Sequence, residues 1–112
     1  ILVGYNVITK TIVDLNQDVK VCFMEKHKSP TIELIEPNSK NSPINNILKK
    51  NSGVIPYHFC YRINDMGKTI EYLSSKGFIM ITKPMVSPAF NNNNVCFLYK
   101  SNIGVIEILE IK

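Results

Sequence analysis

A short segment in the second half of the chain carries a histidine, a cysteine and an arginine at alternate positions. Because side chains alternate between the two faces of a β-strand, His58, Cys60 and Arg62 share one face of a strand predicted over residues 54–64. An imidazole can bind a metal ion, and a guanidinium can pair with a substrate carboxylate or phosphate. A hydrogen-bonded interior histidine and an arginine paired with a nearby carboxylate are the structural alternatives. We predict that Cys60 and Arg62 contact a bound ligand.

Two glutamates interrupt segments that are otherwise apolar. Glu33 lies within residues 31–36, and Glu107 lies within residues 104–111. An unpaired buried carboxylate is costly, so each glutamate requires a cation, a protonated state or an open cleft. Glu36 and Glu110 belong to the same strands but lie near their ends, where we expect surface charges.

The composition predicts one soluble globular domain. The chain has 112 residues, of which 45% are hydrophobic and 20% are charged. No apolar run approaches the ~20 residues of a membrane span. The formal net charge of +4 comes from dispersed lysines and not from a basic run, so neither nucleic acid nor a membrane is a predicted partner.

The cysteines favour a reducing compartment, and we predict a cytoplasmic protein. Cys22, Cys60 and Cys96 are odd in number and have apolar neighbours, which predicts small buried thiols without disulfides. The sequence contains no phosphate-binding glycine loop, G-x-S-x-G turn or Cys-x-x-Cys pair.

Hydrophobic patterning predicts three strands and a short helix in the first half of the chain. The strands cover residues 3–12, 19–24 and 31–36, and the helix covers residues 43–50. Ser42 is expected to cap this helix, with Pro43 at its first position.

The second half has the predicted order β-α-β-β-β. Asp65 is a good N-cap for a helix that Gly77 ends. The predicted elements are a strand over 54–64, a helix over 66–76, and strands over 78–82, 95–99 and 104–111. The segment 84–94 is predicted to be a loop, with its asparagine run in a turn that tolerates positive φ. Alternation places Phe59, Tyr61, Ile106 and Ile108 beneath a helix, opposite the face of His58.

Three stretches, taken in order, resemble the vicinal oxygen chelate superfamily, which includes glyoxalase I, extradiol dioxygenases and bleomycin resistance proteins. They are TIELIEP, PYHFCYRINDM, and VCFLYK followed by GVIEILE. Within the superfamily, the methylmalonyl-CoA epimerases are the most similar. The resemblance covers residues 19–112 and implies an α+β fold of paired βαβββ modules that form a cup. It divides a single domain, 1–112, into a partial first module (1–37), a linker with a short helix (38–53) and a second module (54–112).

The resemblance also implies a metal site on the concave face of the cup. Carried over residue by residue, Glu33, His58 and Glu107 are metal ligands. The family's fourth ligand, a histidine on the first strand, has no counterpart in this sequence, so the first module is expected to lack its initial strand and helix. An imidazole with two carboxylates suits divalent Co, Mn, Ni, Zn or Fe. His58 is expected to face solvent, so its replacement by alanine would leave the fold intact.

The implied activity is that of an isomerase or lyase acting on a small oxo or acyl compound, such as an acyl-CoA, through a metal-stabilised enolate. Glu107 would also move a proton. In the epimerases an early-strand glutamate is the second acid or base, but here Ile12 and Val13 align with it and Asp14 lies beyond it. A non-catalytic ligand-binding protein of the bleomycin-resistance type is the alternative. Because a half-complete module leaves strand edges exposed, we predict a homodimer.

Overall fold

The structure, a computed structural model, describes residues 3–50 and 55–112. The chain divides into two compact units, Ile1–Gly53 and Val54–Lys112, and each unit has its own β-sheet. The fold is therefore of the mixed α+β class. Among the described residues, no helix is long and apolar enough to cross a membrane.

The first unit is an antiparallel sheet built around one central strand. Its elements are β1 (Asn6–Val7), β2 (Ile12–Asp14), β3 (Val19–Glu25), β4 (Ile32–Pro37) and α1 (Asn45–Lys50). The central strand β3 pairs with β4 along one edge and with both β1 and β2 along the other. Val19, Val21 and Phe23 alternate along β3 and are buried. This alternation forms the core of the unit.

The prediction of one continuous strand over residues 3–12 is wrong, because the chain breaks between β1 and β2. The Ile8 amide donates to the Phe23 carbonyl at 2.9 Å. The Phe23 amide donates to the Thr9 hydroxyl, also at 2.9 Å. A side chain therefore accepts an amide of the central strand here, and regular pairing resumes only at Ile12.

The start of α1 also differs from the prediction. The helix begins at Asn45, and the buried hydroxyl of Ser42 has no hydrogen-bond partner among the described residues. The Ser42 carbonyl accepts the Asn45 amide instead. Ser42 therefore does not act as the predicted side-chain cap.

The second unit contains the predicted β-α-β-β-β elements in the predicted order, with one additional short strand. Its elements are β5 (Phe59–Ile63), α2 (Met66–Ser75), β6 (Ile79–Met80), β7 (Met85–Ser87), a 3₁₀ turn (Pro88–Phe90), β8 (Asn93–Lys100) and β9 (Gly104–Glu110). The central strand β9 pairs in parallel with β5 and antiparallel with β8. Both β6 and β7 pair with the other edge of β8. The segment predicted as a loop therefore contains β7, while Asn91 and Asn92 adopt the expected positive φ.

Helix α2 covers one face of the second sheet. The Asp65 carboxylate accepts the Lys68 amide at 3.0 Å, which confirms the predicted N-cap. Beneath the helix lies a cluster of buried residues: Met66, Cys96, Leu98, Ile106 and Ile108. The opposite face carries a second buried cluster of Val95, Phe97 and Leu109. Strict alternation along β9 places Glu107 on this second face.

Two predicted core residues lie at the surface. Phe59 and Tyr61 are 76% and 53% exposed. They belong to β5, the edge strand of the sheet, whereas α2 packs against β6 and β9. Alternation predicted their face correctly, since Phe59 pairs with Ile106, but the helix does not cover the edge.

The two units repeat the same local arrangement. ITK occurs at residues 8–10 and 81–83, and VCF occurs at residues 21–23 and 95–97. The Ile81 amide donates to the Phe97 carbonyl at 2.8 Å, and the Phe97 amide donates to the Thr82 hydroxyl at 3.3 Å, as Ile8 and Thr9 do with Phe23. In each unit the phenylalanine pairs with a strand glutamate. Glu33 and Glu107 therefore hold equivalent positions.

Replacing Thr82 by valine should destabilise the second unit. Valine preserves the shape of the side chain but leaves the Phe97 amide without its acceptor, at a cost of about 1–3 kcal/mol. Urea denaturation followed by circular dichroism measures this loss, and Thr82→Ser, which retains the hydroxyl, should restore most of it. Equal midpoints for the valine variant and the parent would contradict the proposed role of the hydroxyl.

Candidate functional site

A histidine and a glutamate from neighbouring segments of the second unit are in direct contact. His58 immediately precedes β5, and Glu107 lies in the middle of β9. The distance from His58 Nε2 to Glu107 Oε1 is 3.0 Å, and the two side chains are only 6% and 3% exposed. The prediction of a solvent-facing His58 is therefore wrong. The buried carboxylate obtains its hydrogen bond from the imidazole.

Two aromatic rings pack against the imidazole nearly at right angles. The ring centroids of Tyr57 and His58 are 4.5 Å apart, and those of His58 and Phe97 are 5.2 Å apart. The other imidazole nitrogen, Nδ1, is buried and has no hydrogen-bond partner within residues 3–50 and 55–112. With an ionised Glu107, Nε2 is the donor of the shared hydrogen bond. A neutral ring then leaves Nδ1 without a hydrogen, which avoids a buried unsatisfied donor.

Tyr57 is a site residue that sequence reasoning missed. Burial raises the pKa of its phenol, and the negative charge of Glu107 raises that pKa further. The residue therefore keeps its proton at neutral pH and lies within the electrostatic reach of the carboxylate. Alternation along the strand predicted over residues 54–64 would place Tyr57 on the face opposite His58, but regular strand structure begins only at Phe59. The sequence feature that could have identified Tyr57 is its position directly before the candidate histidine.

The two predicted substrate contacts lie along β5. Cys60 pairs with Glu107 in the register of the sheet, and Arg62 pairs with Leu109 two residues further along. Both side chains are exposed. Cys60 is therefore directly opposite Glu107 of the buried pair, although it is not the buried thiol that the sequence predicted. That either residue binds a substrate stays a prediction.

The His58 imidazole and the Glu107 carboxylate are donor groups of the types that divalent ions accept. In this structure the 3.0 Å separation of Nε2 and Oε1 is that of a hydrogen bond between them. Within neither unit do the described residues bring three His, Cys, Asp or Glu side chains together at one point. Glu33 lies half-buried on β4 of the first unit, opposite Phe23. That Glu33 binds a metal ion together with His58 and Glu107 stays a prediction.

Asp14, the acidic residue nearest to the epimerase glutamate position, has a structural role. Its side chain is almost completely buried. It accepts hydrogen bonds from the amides of Asn16 and Gln17 and from the Gln17 side chain. These bonds hold the turn between β2 and β3, so the carboxylate is not available as a second acid or base.

The three thiols should react with an alkylating reagent at different rates. Cys60 is exposed, Cys22 is half-buried and Cys96 is buried. Burial also raises the pKa of the Cys96 thiol, which lowers its thiolate fraction. We expect iodoacetamide to modify Cys60 first and Cys96 last under native conditions, as followed by mass spectrometry. Denatured protein is the control, and a native protein that lost Cys96 first would contradict the described burial.

The family follows from comparison with known proteins. The family model of the glyoxalase/bleomycin resistance protein/dioxygenase superfamily matches residues 2–97. The chain belongs to this superfamily. The resemblance inferred from the three sequence stretches is therefore confirmed, and so is the α+β fold of that superfamily.

Known members of similar sequence or structure include methylmalonyl-CoA epimerases. The mitochondrial methylmalonyl-CoA epimerase of Dictyostelium discoideum is 34% identical over 82 residues, which are 72% of this chain and 49% of that protein. The chain thus spans about half the length of this curated relative. The methylmalonyl-CoA epimerase structure from Mycobacterium tuberculosis matches with a TM-score of 0.82 at 19% identity, covering 99% of this chain and 74% of that one. This second likeness supports the superfamily fold alone.

A second similar structure is that of a hypothetical protein from Bacillus halodurans C-125. It matches with a TM-score of 0.73 and 28% identity over 92% of this chain and 76% of that chain. The description of that protein as hypothetical gives no enzymatic activity. The same fold therefore recurs at moderate sequence identity in this hypothetical protein.

Proposed function

We propose that this protein is a metal-dependent enzyme of the epimerase type that acts on a small acyl-CoA such as methylmalonyl-CoA. The observation that carries the proposal is the buried contact between His58 Nε2 and Glu107 Oε1 at 3.0 Å. The likeness to the Dictyostelium epimerase supports the choice of substrate class. Isomerase chemistry is favoured over lyase chemistry on the same ground.

In this proposal His58, Glu107 and Glu33 hold one divalent ion of Co, Mn, Ni, Zn or Fe. The internal repeat supports Glu33, because this residue occupies in the first unit the position that Glu107 occupies in the second. When bound, such an ion supplies a positive charge that stabilises negative charge on a substrate oxygen. An imidazole and two carboxylates form the mixed nitrogen and oxygen donor set that these metals accept.

Glu107 is the proposed base. Its carboxylate takes the proton from the carbon between the two carbonyl groups of the substrate, and the electron pair of the broken C–H bond moves towards the thioester oxygen. Return of a proton to the opposite face inverts the centre. Burial beside aromatic rings strengthens the electrostatic interactions of the carboxylate, because water is excluded from it. Cys60 and Arg62 are proposed to contact the substrate.

A specific observation favours a second candidate function, the binding of a small molecule without turnover. Inversion at carbon requires proton transfer on both faces of the substrate. Ile12 and Val13 cannot transfer protons, and the Asp14 carboxylate is occupied by three hydrogen bonds. If no other group supplies the second proton, the site binds its ligand without inverting it.

The proposal includes the organisation of the protein. We take the two units as a partial and a complete βαβββ module of one domain, 1–112, that assembles as a homodimer in the cytoplasm. The exposed aromatic residues of edge strand β5 support pairing with a second copy. Sedimentation velocity at micromolar concentration tests the dimer, and a monomer there would contradict it.

The activity is tested by proton exchange in heavy water. The full chain, loaded with Co²⁺, is incubated with methylmalonyl-CoA in D₂O, and the signal of the C2 proton is followed by NMR. Loss of this signal faster than in a protein-free control supports the enzyme. Saturable binding of the thioester without faster exchange favours the second candidate, and no binding at all would overturn both.

A further inference from the structure

We propose that Tyr57 is a positioning residue for His58, holding the imidazole so that Nε2 faces Glu107. The inference deepens the proposed function, since it concerns the same candidate metal ligand. It rests on the ring contact at 4.5 Å and on the missing hydrogen bond of Nδ1. Neither observation depends on a bound ion.

A histidine that ligates a metal almost always donates its second ring nitrogen to a carbonyl or a carboxylate. This second bond fixes the ring orientation and the position of the ring hydrogen. In the described part of this protein, His58 Nδ1 is buried and has no such partner. Some other contact must therefore hold the ring in the orientation that places Nε2 at 3.0 Å from Glu107.

The contacts that remain are aromatic. Tyr57 and Phe97 meet the imidazole at interplanar angles of 80° and 85°. Perpendicular arrangements of this kind are favourable because the positive edge of one ring meets the negative face of another. Two such contacts restrict rotation about the side-chain bonds of His58.

Tyr57 is the member of this pair whose role can be separated from folding. Phe97 is a buried residue of β8 and belongs to a core cluster, so its replacement would disturb the sheet. Tyr57 is 41% exposed and lies before β5, outside any strand. Its loss should therefore affect the orientation of His58 more than the stability of the unit.

The test compares Tyr57→Leu with Tyr57→Phe in the full chain, with Tyr61→Leu as a control on the neighbouring strand. Isothermal titration with Co²⁺ alone should show affinity about 10- to 100-fold weaker for the leucine variant, as for the loss of an outer contact of a ligating histidine. The phenylalanine variant retains the ring and should stay within about twofold of the parent. A loss of affinity in Tyr61→Leu of the same size would overturn the specific role of Tyr57.

A second readout separates this inference from the proposed function. The chain contains only two histidines, so the ring resonances of His58 can be assigned by comparison with a His27→Gln variant. In metal-free protein we expect nuclear Overhauser effects between the rings of residues 57 and 58, and shifted His58 ring signals that Tyr57→Phe preserves and Tyr57→Leu loses. Unchanged His58 signals in Tyr57→Leu would overturn the inference. Failure of the parent to bind Co²⁺, with this pattern of signals intact, would instead count against the proposed function alone.

Discussion

Glu107→Gln is expected to lower the rate of C2 proton exchange in methylmalonyl-CoA by about 10²- to 10⁴-fold, the range over which general acid or base groups contribute. Glutamine has nearly the same shape as glutamate, and its amide oxygen can still accept the hydrogen bond from His58 Nε2. The fold should therefore survive. What is lost is the negative charge, and with it both the basicity and the ability to balance the charge of a divalent ion.

The matched control is Glu36→Gln, because Glu36 is an exposed glutamate in strand β4. Its substitution removes the same charge without touching the buried pair. Exchange is measured by NMR in D₂O, and urea denaturation verifies that both variants are folded. Full activity in folded Glu107→Gln would contradict the assignment of Glu107 as the base.

The second large effect concerns stability. His58→Ala should lower the free energy of unfolding by about 3 kcal/mol, because removing one partner of a buried pair leaves the other partner without compensation. In this protein the remaining group is the Glu107 carboxylate, which is 3% exposed. The substitution also removes the ring that lies between Tyr57 and Phe97 and leaves a cavity.

His27→Ala is the control, because His27 is an exposed residue that follows β3. Its replacement should change the stability by less than about 0.5 kcal/mol, as surface substitutions usually do. Urea denaturation of both variants gives the comparison. Equal unfolding midpoints for His58→Ala and the parent would show that Glu107 does not depend on the imidazole. His58→Ala that is still folded should also bind Co²⁺ at least about tenfold more weakly than the parent.

The sequence identified the chemical groups of the site because type and motif are local properties. His58 and Glu107 were selected as a strand histidine and as a glutamate within an apolar strand. The prediction that Ile106 and Ile108 lie beneath a helix was also correct, since alternation depends only on the geometry of the strand. The Asp65 cap was predictable because a cap and its helix are a few residues apart.

The sequence contains the internal repeat as two copies of ITK and of VCF, but it does not show which atoms these copies bring together. In the structure the Phe97 amide donates to the Thr82 hydroxyl, and the Phe23 amide donates in the same way to the Thr9 hydroxyl. Each bond joins a threonine to a strand that lies elsewhere along the chain. The local propensity of a threonine does not predict that its hydroxyl will accept a backbone amide of another strand.

Tertiary structure alone decided which groups meet. His58 and Glu107 come together because β5 and β9 pair in parallel after α2, β6, β7 and β8 have intervened. Tertiary structure also decided that the imidazole is buried, that Tyr57 packs against it and that Phe59 remains exposed at the sheet edge. The physical reason is that side-chain type and period are properties of a segment, whereas burial and hydrogen-bond partners depend on strands that pair over long sequence separations.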